Sequence, residues 1–400
     1  MIYLQQPTVV SCLGANLKEN IDFLLSDFSS PLKASHHWIT NKEILIGEVS
    51  RLVPLPENTA KIYRTRNNQL LWTAVVQQDA EIQAIIERFG TERVAVVIGT
   101  TNTGVDDNFA AFTTHHQTQS WDSSTYCHEF QLLSSPADFL AAHYGLSGPA
   151  YSISTACTSG ARAIISAARL LQTNLCDAVI CGGVDALAHL AINGFYSLEA
   201  LSQGQAKPFA SNRDGINMGE AAAIFIATRE NIGLPLLGYG ASSDAYHMSA
   251  PKPDGEGAVT AIQKAMDMAQ LGSEAIGWVN LHGTGTTHND AMEARAFSHC
   301  FSHDIPMTST KAVTGHTLGA AGALEAALVW GIVSRTLNPS GKLPKQQCRD
   351  EKDTNIPNIK LTDERSYWLS ERRIGLSSSF AFGGNNAILI IGEPSYAVTY

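Results

Sequence analysis

The sequence predicts an α/β protein whose sheets are built largely from strand–helix–strand units, and three observations carry that expectation. Continuous apolar runs such as residues 94–99 (VAVVIG) and 178–184 (AVICGGV) alternate with small-residue helical patterns. Such runs suit strands covered on both faces, where no polar side interrupts the pattern. The composition agrees: of 400 residues 44% are apolar, 16% are charged and 32 are glycine, which fits a large core with tight turns. Finally, a short pattern recurs. Thr155-Ala156-Cys157-Thr158-Ser159-Gly160-Ala161 and Thr314-Gly315-His316-Thr317-Leu318-Gly319-Ala320 share T-x-(C/H)-T-x-G-A, each ahead of a small-residue helix. A duplicated half would place Cys157 and His316 at equivalent helix starts about a pseudo-two-fold axis.

Taken in order, residues 8–12 read as a weak strand and 17–25 as an amphipathic segment, followed by polar, irregular sequence to about residue 56. Lys61, Arg64 and Arg66 cluster before an apolar-periodic helix through Leu70, Leu71, Val75 and Val76. The strand at 94–99 ends in the polar turn Thr100-Thr101-Asn102-Thr103-Gly104, and 105–136 reads as loop with His115, His116 and His128. Those histidines lack metal-site spacing and suit a solvated loop. A helix is expected at 137–144, a strand at 151–155, a helix at 161–172, and strands at 178–184 and 220–228. Between the last two lies a polar connection, 199–215, with Lys207 and Arg213. From residue 236 the plan repeats: strands at 236–240, 276–281, 375–380 and 387–391, helices at 257–271, 290–300 and 320–330.

Seven cysteines without a CxxC pair and the absence of a signal-peptide pattern predict free thiols in a reducing cytoplasm. No apolar run approaches the roughly 18 residues of a membrane span. A net charge of −10 argues against nucleic acid as a partner, and an acidic protein partner would need a local basic patch.

Four stretches bear chemistry. Cys157 falls at a strand-to-helix turn, with Thr158 and Ser159 as helix-starting residues and Gly160 permitting close backbone approach. The positive end of a helix dipole lowers a thiol pKa, and the thiolate is the nucleophile; a small buried hydrophobe is the plain alternative. His282, in Asn280-Leu281-His282-Gly283-Thr284-Gly285-Thr286, follows a buried strand, where ligand and catalytic groups collect. Lys311 precedes His316 by five residues, and Ser379-Phe380-Ala381-Phe382-Gly383-Gly384-Asn385-Asn386 is a glycine turn behind an aromatic. Singly, each also reads as core packing or an ordinary turn.

In this order (TACTSG, HGTGT, K-x4-GHTLGAAG, FAFGGNN) the stretches resemble the condensing enzymes of the thiolase fold. They are most similar to the β-ketoacyl-acyl-carrier-protein synthases of fatty-acid and polyketide assembly. The resemblance runs from about residue 94 to 391 and implies two pseudo-symmetric halves in a five-layered αβαβα architecture. Residues 1–235 would carry the nucleophile and residues 236–400 the histidine pair, the lysine and the Phe-Gly-Gly gate. It identifies Cys157 as nucleophile, His282 and His316 as donors to the substrate carbonyl oxygen, Lys311 as supporting lysine, and Phe382 as gate. The Cys157 and Phe382 N–H groups become the oxyanion hole. Lys311 is expected to orient His316 and to pair with Glu325. Asp290 and Glu293 fall on structural carboxylates, and Thr284 and Thr286 on pantetheine-binding threonines. The implied activity is decarboxylative condensation of an acyl group with malonyl carrier protein. No metal or cofactor is expected beyond the carrier's phosphopantetheine. Acyl carrier protein and a second ketosynthase-like chain, identical or a chain-length factor, are the expected partners. A chain-length factor that does no chemistry is the alternative role.

Departures point to a specialised substrate. Asn102 stands where relatives keep an apolar or small acyl-pocket residue, and a buried amide needs a partner. No lysine or arginine occurs between Arg93 and Arg162. Lys61, Arg64, Arg66, Lys207 and Arg213 remain as carrier-docking candidates. Both features suggest a dedicated polyene or polyketide pathway, such as aryl-polyene assembly.

Overall fold

Apolar strands and small-residue helices sort into alternating elements along the chain. The computed structural model describes residues 1–27, 29–121, 125–301, 305–347 and 353–394. In order these are β1 (Ile2–Leu4), β2 (Thr8–Val10), α1 (Leu17–Leu25), β3 (Lys33–Ile39), β4 (Lys42–Gly47), α2 (Arg66–Val75), α3 (Asp79–Phe89), β5 (Val94–Gly99), α4 (Phe109–Thr118), α5 (Ser135–Tyr144), β6 (Ala150–Ile153), α6 (Ser159–Gln172), β7 (Ala178–Asp185), α7 (His189–Ser197), β8 (Met218–Gly219) and β9 (Ala221–Thr228). They continue with β10 (Leu234–Ser243), α8 (Glu256–Ala269), β11 (Trp278–Asn280), α9 (Thr287–Cys300), β12 (Met307–Thr308), α10 (Lys311–Thr314), α11 (Ala321–Val333), β13 (Ile374–Phe380) and β14 (Asn385–Gly392).

One 11-stranded sheet runs in the order β12-β11-β13-β14-β10-β1-β9-β7-β5-β6, with β2 also on β9. Strands β1 and β10 meet antiparallel at its middle, and outward from that seam both limbs repeat one plan. In each limb the last strand lies antiparallel to its neighbours, here β9 and β14, while the remaining pairs are parallel. The sheet is therefore mixed. Strands β5, β7 and β9 are buried along their whole lengths, which explains their continuous apolar sequence.

Helices α6 and α11 lie between the two limbs. All thirteen residues of α11 are buried. The helices touch through small residues: a Cβ on Gly160 would stand 2.7 Å from the Ala323 nitrogen, and one on Gly322 2.7 Å from that of Ala161. Leu70, Leu71 and Leu140 pack on the outer face of one limb against Val96, Ile180 and Ile224. Ile262, Met292 and Phe297 cover the other limb against Val279, Leu281 and Ile390. The succession is helix, sheet, helix, sheet, helix.

Three expectations are corrected. The stretch from 26 to 56 contains the hairpin β3–β4, whose Trp38, Ile39, Ile44 and Ile46 are buried in one cluster with Ile192 of α7. The stretch from 105 to 136 contains α4, in which only Ala111 is buried. A helix with so little apolar stripe has no helical period to read. Helix α7 was likewise not legible. His316 does not stand directly at its helix start, because a 3-10 turn, Leu318–Ala320, separates it from α11. Six cysteines are free thiols, and Cys348 lies outside the described residues. Among the described residues no helix is long and apolar enough to cross a membrane.

Candidate active site

Cys157 sits in a tight turn between β6 and α6. Ala156 before it is held at φ 51°, a left-handed conformation that a side chain adopts only when its surroundings enforce it. The neighbouring hydroxyls enforce it. Ser159 Oγ accepts from Thr155 N–H (2.9 Å) and donates to the Ala156 carbonyl (2.6 Å), while Thr158 Oγ1 donates to the Thr155 carbonyl (2.7 Å). Neither hydroxyl caps α6. They stitch the nucleophile turn instead. Burial, the dominant effect, pushes the Cys157 thiol up to about 12, against the pull of Lys311 and of the Phe382 and Cys157 N–H groups. The expectation of a lowered thiol pKa is thus corrected: removing the sulfur from water outweighs the nearby positive charge and N–H donors.

His316 Nε2 lies 3.0 Å from Cys157 Sγ, and its Nδ1 accepts the Leu318 N–H at 3.1 Å. That backbone donor leaves the lone pair on Nδ1, so the neutral ring carries its proton on Nε2, facing the sulfur. His282 is fixed the same way: its Nδ1 faces Lys311 Nζ at 3.2 Å, and Lys311 is ion-paired with Glu325. Lys311 therefore orients His282, not His316 as expected. Burial first, then the positive charge of Lys311, holds both imidazoles well below the ordinary histidine range and so neutral. Burial raises Glu325 to about 7 against the opposing pull of Lys311.

Strand β11 delivers the loop that carries His282, and two buried acids hold that loop. Glu293 accepts from His282 N–H and Gly283 N–H, both at 2.7 Å, and from Ser378 Oγ at 2.8 Å. Asp290 accepts from Thr284 N–H (3.1 Å), Gly285 N–H (3.2 Å) and Phe209 N–H (2.8 Å). Gly285, at φ 81°, provides the left-handed turn. Thr284 and Thr286, with hydroxyls 2.9 Å apart, line the same cavity as Cys157, both histidines and Phe382. The cavity measures ≈ 380 Å³. Phe382 is 38% exposed, and its ring stands 5.5 Å from that of Phe195.

The reacting atoms of Cys157, His282 and His316 all fall within 4.8 Å, a spacing that also suits a soft cation. The nitrogen that faces Sγ carries a proton, however, so this donor set fits an oxygen anion better than a metal.

With this geometry in hand, comparison with known proteins is direct. The profile described as beta-ketoacyl synthase, N-terminal domain, matches residues 67–231, and the beta-ketoacyl synthase C-terminal domain matches residues 235–340. A chain in the solved complex of the ketosynthase ApeO with its chain length factor ApeC, from Xenorhabdus doucetiae, is similar throughout. It is 40% identical over 98% of both chains, with a TM-score of 0.92. The chain belongs to the beta-ketoacyl synthase family. A chloroplastic 3-oxoacyl-[acyl-carrier-protein] synthase II of Arabidopsis thaliana is 34% identical over 66% of this chain and 51% of its own length. For the 3-oxoacyl-[acyl-carrier-protein] synthase 2 of Coxiella burnetii the identity is 35%, over 66% of each. The chain thus spans half to two thirds of the length of these curated relatives. The ishigamide ketosynthase/chain length factor, 24% identical with a TM-score of 0.86, shares the fold.

Within this ketosynthase fold the remaining candidates disperse. Arg66 is ion-paired with fully buried Glu220, and Arg213, itself buried, with Asp353. Buried Arg213 is thus turned into the fold and away from a docking surface, whereas Arg66 keeps part of its side chain exposed. Lys207 is half-buried, while Lys61 and Arg64 are exposed. Asn102 does not line the Cys157 cavity: its amide donates to the Ala186 carbonyl at 3.1 Å. The sequence reading missed Asp185, a buried carboxylate closing the all-apolar strand β7. A charge ending such a strand was the signal available.

Proposed function

We propose that the chain is a condensing enzyme that joins an acyl group, held on Cys157, to a malonyl group delivered on acyl carrier protein. The observation that carries this reading is the pair of neutral imidazoles, each with its acceptor nitrogen already engaged, converging on one cysteine. In the first step Cys157 sulfur attacks the thioester carbonyl of the acyl carrier. The carbonyl oxygen lies against the Cys157 and Phe382 N–H groups, the carrier thiolate leaves, and the thiol proton ends on it. One thioester replaces another, so activation and positioning suffice.

In the second step the malonyl thioester loses CO2, and its breaking C–C bond leaves an electron pair delocalised onto the thioester oxygen. The two imidazole N–H groups donate to that oxygen. The enolate carbon then attacks the acyl carbonyl, the C–S bond to Cys157 breaks, and a proton from solvent restores the thiol. The product is a 3-oxoacyl thioester on the carrier. Two imidazoles without a free basic nitrogen support this chemistry over a cysteine–histidine hydrolase.

The carrier would approach near Lys61 and Arg64, and the thiolase-like halves would divide at residues 235 and 236. A second ketosynthase-like chain as partner is supported by similarity to a ketosynthase–chain length factor complex. It is also supported by β6, which ends the sheet with one edge unpaired. The run without basic residues between Arg93 and Arg162 favours a polyene or polyketide product over housekeeping fatty acid. Intact-mass analysis after incubation with acyl carrier protein should show an acyl adduct on the native chain and none on Cys157→Ala. Cys157→Gln, folded and unable to condense, should still decarboxylate malonyl carrier protein. A native chain that takes no acyl group from any carrier would transfer the chain to the non-elongating, chain-length role.

A further inference from the structure

Asp185 is fully buried at the end of β7 and takes part in no step described above. Its carboxylate gathers donors from two separate loops. From the turn after β5 it accepts Thr100 Oγ1–H (2.8 Å), Thr101 N–H (2.8 Å), Asn102 N–H (2.9 Å) and the Thr101 hydroxyl. From the turn after His316 it accepts Gly319 N–H at 2.6 Å. Burial, the largest effect, raises the carboxyl above its usual range, and these donors pull it back toward the acceptor-only form.

The Gly319 bond matters because of what precedes it. Leu318 is held at φ 51°, a strained conformation for a branched side chain, and its N–H is the donor to His316 Nδ1. Such a residue relaxes unless the chain is pinned on either side of it. His316 N–H is pinned by the Asn217 carbonyl (2.7 Å), and Gly319 is pinned by Asp185. The contact is also sterically closed: a Cβ on Gly319 would stand 2.6 Å from Asp185 Oδ2 and 3.0 Å from Thr100.

We infer that Asp185 is the positioning residue that sets the tautomer and ring plane of His316, by clamping Gly319 and so holding the Leu318 N–H on Nδ1. It ties the same clamp to the Thr100–Asn102 turn, so the two loops move together. The kinetic consequence rests on the decarboxylating role proposed above; the tautomer itself does not.

The test is Asp185→Asn in the full chain, which keeps the shape but turns one acceptor into a donor facing N–H groups. With 15N-labelled histidine, the native protein should show His316 protonated on Nε2 alone, and the variant should show averaged nitrogen shifts from exchanging tautomers. Malonyl-carrier decarboxylation should fall about tenfold or more, while acylation of Cys157 stays within about threefold of native. A folded variant with native His316 nitrogen shifts overturns the inference, as does an equal fall in both half-reactions. If Asp185→Asn does not fold, Gly319→Ala displaces the same N–H from the other side and should give the same averaged shifts; native shifts there also overturn it. A native enzyme that never decarboxylates malonyl carrier would instead sink the proposed function, and the nitrogen shifts would still decide the role of Asp185 by themselves.

Discussion

At the scale of single residues, the site works by deciding where protons rest. Each imidazole has one nitrogen occupied by a fixed donor, Leu318 N–H or Lys311 Nζ, and presents the other as an N–H. His282→Ala and His316→Ala should therefore still accept an acyl group on Cys157 but lose about 100-fold or more in malonyl decarboxylation; blocked acylation in His316→Ala alone would favour a cysteine–histidine dyad. The thiol follows the opposite logic. With Cys157 pushed up to about 12 by burial, its thiolate fraction below that pH grows about tenfold per unit. Alkylation of Cys157 should then accelerate steadily from pH 7 to 9 without a plateau, and a plateau near neutrality would show that Lys311 and the N–H groups outweigh burial. The reacting residues were legible because their types and spacing are tied to the chemistry. Their second contacts were not, since the fold alone brings Lys311 beside His282 across 29 positions. Arg66 shows the same blindness: a basic residue in a polar stretch reads as surface, yet it neutralises buried Glu220. Arg66→Met should lower stability by about 1–3 kcal/mol, whereas Arg64→Glu should spare stability and raise KM only for carrier-bound substrate.

At the scale of elements, helices α10 and α11 carry an unusual burden for such apolar segments. Between them they bury an ion pair, Lys311 with Glu325, both about 2% exposed. A buried pair contributes little net stability, but breaking one side leaves a charge without compensation, at about 3–5 kcal/mol. Lys311→Met should therefore destabilise the protein strongly and raise the Cys157 thiol further, because Lys311 is the main group pulling it down. Adding Glu325→Gln should restore much of the stability but not the alkylation rate of Cys157. Recovery of both would mean the pair acts on the thiol only through the fold. Elements were legible in proportion to their burial. Strand β5 and helix α11 announced themselves by continuous apolar sequence, whereas β3, with only Trp38 and Ile39 buried, offers too little pattern to read.

At the scale of the whole molecule, the two limbs of the sheet are built alike but end differently. At one end β12 is covered, since Met307 also bridges to Leu361. At the other, β6 pairs among the described residues with β5 only and is half-buried throughout. Its bonds to β5 come from alternate residues: the carbonyls of Pro149 and Ile153 accept from β5 and the residue after it, so Ala150 and Ser152 point their backbone groups outward. A bare edge at the end of a long, otherwise paired sheet is a template for another strand, and proteins leave it bare where a partner covers it. The nucleophile turn follows β6 directly, so whatever strand pairs there also braces Cys157. Proline at position 152 would remove one outward N–H without touching the bonds to β5, which is where an edge strand tolerates it. Ser152→Pro should thus keep the thermal midpoint of the isolated subunit while abolishing association, with itself or with a chain-length factor. Light scattering after size-exclusion chromatography measures this. Unchanged association in a folded Ser152→Pro protein would place the interface elsewhere and leave β6 as a plain edge.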